Sequence, residues 1–312
     1  MKPSASRYVL SSCVAAAMLA GCGGSQPPIG ASGAMPQVDA ERPARSGQPL
    51  IYAFGSFLYG AAAVMDYPSG KLVTEFAPKP SSVGGTCSDN HGNVYLGGRD
   101  ESSTYPAISE YAYGATSPSE YAIAGSTYGV VRGCSVDNTT GNVAALIEYD
   151  SAAFAVAVFQ PQLQGTPQLY GDSIPIFLSV GYNESSDLFL LGVSGFQKRP
   201  TKYLAELPEG GSAFEPISLN LGPHVPEVSA VQWDGKYVTI EGAYRPGEGK
   251  PKTWQEAVYR LKISSSTATV SQRIIQALGV KTSNADYFFA ATTPSGSSKS
   301  PVKTAIGEPP AG

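Results

Sequence analysis

The residues of this 312-residue chain best suited to chemistry are two histidines, four cysteines and two turns rich in Asp and Asn. A hydrolytic triad would set His91 or His224 against a serine and a carboxylate. No Gly-x-Ser-x-Gly elbow accompanies either histidine, and the sequence has no Gly-rich phosphate loop. His91 sits in an Asp-Asn-His-Gly turn, where capping the loop is its expected role; His224 sits in a Pro-His-Val-Pro loop whose neighbours restrain its backbone. The cysteines show no C-x-x-C spacing and the histidines no H-x-x-x-H, so zinc is not expected. Asp89, Asn90, Asp137 and Asn138 carry the oxygen ligands that calcium takes. Asp and Asn also bond their own turn backbone, however, and Gly92 and Gly141 behind them supply positive φ. Turn formation is therefore the expectation, with no metal, no cofactor and no catalytic residue assigned.

Composition bounds the class of protein. Charged residues make up 15% of the chain, against roughly 25% in an average soluble protein, which argues against a disordered chain. The formal charge of −4 becomes −6 once the first 21 residues, with Lys2 and Arg7, are removed, leaving 19 basic against 25 acidic residues. Binding to a phosphate backbone by counterion release has no support from such a balance, and no nucleic-acid partner is expected. The 35 glycines, 25 prolines and 18 tyrosines suit many short strands between tight turns, an all-β composition.

The N-terminus reads as a targeting segment. After Lys2 and Arg7, the run from Tyr8 to Leu19 is apolar for 12 residues, too short for the roughly 20 that a bilayer-spanning helix needs. Residues 1–21 are expected to be a signal peptide. Leu19-Ala20-Gly21-Cys22 resembles the bacterial lipobox. That resemblance implies that Cys22 carries a thioether-linked diacylglycerol and becomes the mature N-terminus, the alternative being an ordinary secretory signal with an incidental cysteine. Gly23 in place of Asp further implies the outer membrane, with the protein facing the periplasm or the surface. Residues 22–49, rich in Gly, Pro and Ser and without apolar periodicity, read as a flexible tether that holds the body off the lipid.

What could position side chains in the body is an internal repeat. CSDNHGNVYL (Cys87 to Leu96) and CSVDNTTGNVAA (Cys134 to Ala145) share a polar turn followed by an alternating strand, with Gly92 and Gly141 49 residues apart. Weaker copies run from Tyr182 to Leu190 and from Trp233 to Ile240, and strands after the turns begin near Ile51, Val94, Val143, Leu188 and Tyr237. A hairpin follows each: Met65 to Phe76, Ser109 to Ile123, Val158 to Tyr170, Leu204 to Leu219 and Tyr259 to Ile274. A unit of four short strands that cannot bury both faces alone predicts a β-propeller over residues 50–306. Five units are visible. A sixth, shortened, is suggested by Ala277 to Ala291 and Val302 to Ile306, so six blades are favoured, with five as the competitor. The tail, residues 307–312, is expected to approach an inner strand of the first blade and close the ring.

Cys87 and Cys134 sit on the inner strands of adjacent units, placed to form a disulfide between blades in an oxidising compartment, or else as two buried free thiols. Their register differs: Cys87 precedes Asp89 by two residues and Cys134 precedes Asp137 by three.

The repeat resembles the six-bladed propellers of the TolB-like and NHL-repeat group, in particular bacterial lipoprotein members with an Asp-x-x-Gly-Asn turn. Such propellers take ligands over the central channel, and mapping that rule here selects Arg99, Asp100, Tyr128, Glu148, Asp150, Arg199, His224 and Arg245, with Glu101, Lys198 and Tyr244 beside them. The expectation is a monomeric binding or scaffold module whose partner is a protein, peptide or glycan. The alternative, on likeness to gluconolactonase-type hydrolases and propeller lyases, is a metal-dependent enzyme with Glu148 and Asp150, the rim carboxylates closest together, at the ion.

Overall fold

A computed structural model describes residues 49–55, 61–67, 69–171, 176–194, 201–222, 225, 227–244, 255–275 and 287–292. Cys22, Arg199, His224 and Arg245, together with the lipobox and the tail 307–312, lie outside the described residues.

Twenty strands form five four-stranded antiparallel units among the described residues. The first contains β1 (Leu50–Gly55), β2 (Ala62–Asp66) and β3 (Leu72–Phe76), and the second β4 (Ser82–Ser88), β5 (Val94–Arg99), β6 (Pro106–Tyr111) and β7 (Glu120–Ile123). The third contains β8 (Gly129–Val136), β9 (Val143–Tyr149), β10 (Phe154–Gln160) and β11 (Gln164–Tyr170). The fourth contains β12 (Ile176–Tyr182), β13 (Leu188–Val193), β14 (Lys202–Leu207) and β15 (Glu215–Asn220). The fifth contains β16 (Glu227–Trp233), β17 (Val238–Tyr244), β18 (Gln255–Ser264) and β19 (Thr267–Ile275). The last strand, β20 (Tyr287–Thr292), pairs with β1 from Leu50↔Thr292 to Gly55↔Tyr287 and takes the innermost place of the first unit.

The chain is a β-propeller. Its inner strands lie side by side in the order β20, β4, β8, β12, β16, and apolar layers fill the seams between successive units. In the first seam Tyr52, Phe54 and Val64 meet Val94, Leu96 and Tyr111; in the second Tyr95 and Ile108 meet Val131, Ala145 and Phe159. Strands such as β5 (VYLGGR) and β13 (LFLLGV) are buried along almost their whole length because a neighbouring unit covers each face. Outer strands such as β7 (EYAI) and β15 (EPISLN) are mostly exposed.

Among the described residues five units are seen, and the favoured six blades are not confirmed. Residues 287–292, allotted above to a shortened sixth unit, complete the first unit instead, because β1 has no inner partner of its own and closure satisfies its edge. The strand that closes the first unit thus precedes the tail that was expected to do so.

Each inner strand of the second to fifth units carries a β-bulge, at Val83/Gly85, Val131/Gly133, Phe177/Ser179 and Val228/Ala230. Six residues after the first residue of each bulge stands the turn residue, Asp89, Asp137, Asn183 or Asp234. This constant interval persists although the repeat spacing varies through 48, 46 and 51 residues.

At the axis the backbones themselves touch. A Cβ on Gly84 would stand 2.4 Å from the Val131 carbonyl oxygen, one on Gly85 2.5 Å from that of Arg132, and one on Gly181 2.7 Å from that of Val231. With strands this close, short polar groups link the seams: Ser135 Oγ accepts from Tyr182 N at 3.0 Å and Ser179 Oγ from Val231 N at 3.2 Å. Between β4 and β8 the link is covalent, a Cys87–Cys134 disulfide with Cα atoms 5.5 Å apart. Counted from the bulge, Cys87 occupies the place of Ser135 one seam later, and the one-residue stagger seen in the sequence is what aligns it with Cys134. Farther out, units four and five also join at their rims, where β15 and β19 pair in parallel from Ser218↔Thr267 to Asn220↔Thr269.

Gly84→Ala is expected to lower stability by about 2 kcal/mol or more, since the neighbouring backbone cannot yield, whereas Gly171→Ala, with open space around it, should stay within about 0.5 kcal/mol; urea unfolding of both variants measures this. Thiol titration in denaturant should count two more sulfhydryls after reduction than before. Cys87→Ser should cost about 3 to 4 kcal/mol for a loop of this length.

Candidate functional site

The two ends of the propeller differ in what their polar groups do. At one end lie the turns between the first and second strands of each unit. Asp89 Oδ1 accepts from the backbone of His91 and Asn93, both at 2.9 Å, and its Oδ2 accepts from Asn93 Nδ2 at 2.8 Å. Asp137 accepts from Thr139 N at 2.9 Å and from the Thr140 hydroxyl. Asn183 Oδ1 accepts from Ser185 N and Asp187 N at 2.9 Å; Asp234 accepts from Lys236 N, Tyr237 N and Arg260 Nε at 3.0, 2.8 and 2.6 Å. Gly92, Gly141 and Gly235 take φ of 90, 80 and 94° there. These side chains hold turns, and His91 lies exposed beside Asp89 in one of them. Adjacent turns are bridged by Asn90 N donating to Asn138 Oδ1 at 3.0 Å.

The opposite end is where loops of the second and third units meet. Arg99 closes β5; its Nε donates to the Gly129 carbonyl at 3.1 Å and its Nη2 reaches Asp150 Oδ1 at 2.6 Å. Glu148 and Asp150, two residues apart, point to the same side of the chain as it leaves β9. Glu148 meets the Arg132 guanidinium at 2.5 Å. Asp150 N donates to the Tyr128 carbonyl at 3.0 Å and Gly129 N to that of Thr104 at 3.2 Å, so the backbone on both sides of Tyr128 is anchored. The Tyr128 ring, 58% exposed, lies 5.8 Å from that of Tyr105 at 30°.

Of the rim residues expected from sequence, Arg99, Tyr128, Glu148 and Asp150 are brought to this one seam. Asp100 turns into its own loop: Ser102 and Ser103 donate to Oδ2 at 2.6 to 3.1 Å, and the Tyr121 hydroxyl donates to Oδ1 at 2.5 Å. Those donors, Ser102 foremost, hold its carboxyl well below the usual carboxylate range, while burial and then the hydrogen bond to Asp100 push the Tyr121 phenol up. Arg132 went unrecognised in the sequence. Its signal was there, as the one charge within an inner strand otherwise built of small and apolar residues. On the fourth unit, at the same end, burial draws the Lys202 ammonium down, and the Glu227 charge opposes the shift.

Glu148 and Asp150 each face an arginine rather than another carboxylate. Among the described residues no three His, Cys, Asp or Glu side chains gather as metal ligands would. One carboxyl is buried away from either arrangement: Glu110 on β6 is 7% exposed, its Oε2 has no hydrogen-bond partner, and Tyr95, opposite it on β5, bonds to it. Burial, aided by the Asp89 charge, pushes the Glu110 carboxyl up.

No protein-family profile and no curated protein matches the chain. Solved structures that it is similar to include hydrazine synthase of Kuenenia stuttgartiensis, 11% identical over 65% of this chain and 57% of that one with a TM-score of 0.44. Others are KlHsv2 with loop 6CD replaced by a Gly-Ser linker (10%, 69% and 66%, 0.44) and Hsv2 of Kluyvelomyces marxianus (11%, 69% and 65%, 0.41). The matches thus span about three fifths to two thirds of those chains.

Because the folded state holds the Glu110 proton more tightly than the unfolded chain does, this group favours folding most below the unfolded carboxyl pKa of about 4.3 and works against it as pH rises. Glu110→Gln should therefore melt at a higher temperature than the parent at pH 7, with the gap narrowing toward pH 4. A gap that stays constant across that range would remove Glu110 from the pH dependence.

Proposed function

We propose that this protein is a binding or scaffold module of the cell envelope, held by lipid on Cys22, spaced from the membrane by residues 22–49, and presenting the loop end of its propeller to a partner. The observation that carries this reading is the clustering at one seam of the loop end. There Tyr128, the most exposed of the large apolar side chains described, stands beside two open ion pairs, whereas Asp89 and Asp137 of the turn end are engaged by their own turns. Those pairs contribute on the order of 0 to 1 kcal/mol each to stability, so the fold gains little from them.

The metal-dependent hydrolase is less well supported. It would direct Glu148 and Asp150 at one cation, and each is neutralised by a guanidinium in its place. Outer-membrane residence and the monomeric state are part of the proposal and rest on the lipobox and on the propeller's self-contained core.

Hydroxyl-radical footprinting of the protein in intact envelopes, compared with the purified chain, is expected to show protection at Tyr105 and Tyr128. Tyr67, exposed at the turn end, should remain unchanged. Equal labelling of Tyr128 in both settings would sink the reading. The anchor is checked by metabolic labelling with an alkyne fatty acid, which should mark the parent and not Cys22→Ala.

A further inference from the structure

We propose that the Tyr105–Tyr128 pair and the Arg99–Asp150 ion pair form a subsite for an uncharged pyranose unit of an oligosaccharide; this rests on the reading of the loop end as the binding face. Three features of the seam point to that chemistry.

The first is a rigid, exposed ring face. Tyr128 is the most exposed of the large apolar side chains described, and Tyr105 supports it at 5.8 Å. The hydrogen bonds at Thr104, Tyr128 and Gly129 fix the backbone beneath both rings. A ring so held loses little conformational freedom when a ligand stacks on it. The C–H face of a pyranose is an apolar plane of matching size.

The second is a matched donor and acceptor next to that ring. Arg99 uses Nε on Gly129 and Nη2 on Asp150, and Asp150 uses Oδ1. A guanidinium has five N–H donors and a carboxylate two oxygens, so among the described residues further donors and Oδ2 remain for a ligand. Asp150 and Arg99 are 52% and 35% exposed. Neighbouring sugar hydroxyls, each both donor and acceptor, fit a paired carboxylate and guanidinium, and the Asp150 amide ties this pair to the Tyr128 backbone.

The third is charge, which narrows the ligand. Asp100, Glu101, Glu148 and Asp150 carry four negative charges at this end of the two units against the two positive charges of Arg99 and Arg132. An excess of two negatives repels uronates, sulfated sugars and phosphates. A peptide would be better served by an unpaired strand edge, and what this seam exposes is instead rings and ion pairs.

The test is titration of the full lipidated chain in detergent with four probes: hexasaccharides of β-1,4-glucose, α-1,4-glucose and β-1,4-N-acetylglucosamine, and polygalacturonate as the anionic contrast. At least one uncharged hexasaccharide is expected to bind and to protect Tyr128 in a footprint, with polygalacturonate binding more weakly. Tyr128→Ala should weaken that binding about tenfold, the loss of one stacked ring, while Tyr128→Phe, which keeps the ring, should stay within about threefold. Circular dichroism verifies that both variants fold. Failure of all three uncharged probes, or binding indifferent to Tyr128→Ala, overturns the sugar subsite. If Tyr128 remains protected in intact envelopes while the sugars fail, the loop end stands as the binding face and its ligand is of another class, such as a peptide. If that protection is missing too, the reading beneath the subsite falls with it.

Discussion

Close approach of the inner-strand backbones at the axis is the constraint on which the rest of this propeller depends. Gly84, Gly85 and Gly181 stand where any Cβ would collide with a carbonyl of the next unit. Removing the side chain lets neighbouring strands come within reach of a serine hydroxyl or a disulfide. The seams behind them then fill with Leu, Val, Tyr and Phe from both sides, which is where hydrophobic burial stabilises the ring. No unit could keep its middle strands dry alone, so each depends on its neighbours.

The bulge and the turn mark the ends of a seven-residue segment repeated in four units. Its length does not vary, because it spans the crowded stretch beside the axis, although its residues do: VGGTCSD, VRGCSVD, FLSVGYN and VSAVQWD. Outside it the loops differ freely. Function can diverge there without disturbing the ring, and the seam of the second and third units is where polar and aromatic side chains collect. The disulfide clamps the inner strands of those same two units, so the surface with the most to present is built on the seam that is covalently joined.

Much of the architecture was legible. The turns at Asp89 and Asp137 and the hairpins after them appear as strands with the expected order, because turn chemistry and alternation are local signals. The blade count was harder to read. Strand β20 resembles the start of another unit when read along the chain, and only its pairing with β1 reveals that it completes the first one. At the seam, Arg99, Tyr128, Glu148 and Asp150 were found because the repeat assigns their loops to one end. Their pairing could not be foreseen, since it depends on side chains meeting across units. Asp100 looked equally available, yet Ser102, Ser103 and Tyr121 turn it inward. Arg132 escaped because it lies inside a strand rather than on a loop.

The parallel join of β15 and β19 changes the perimeter of the molecule. Over the three paired residues of each strand, Ser218–Asn220 and Thr267–Thr269, the outer edges satisfy each other and offer no row of amides and carbonyls to template a foreign strand. The vulnerable borders among the described strands are β3, β7, β11 and β19 beyond Thr269, and each carries a deterrent: Glu75 in β3, Glu120 in β7, Pro167, which has no N–H to donate, in β11, and Arg273 in β19. Resistance to aggregation is thus shared between one short stretch that seals itself and four edges that are guarded residue by residue.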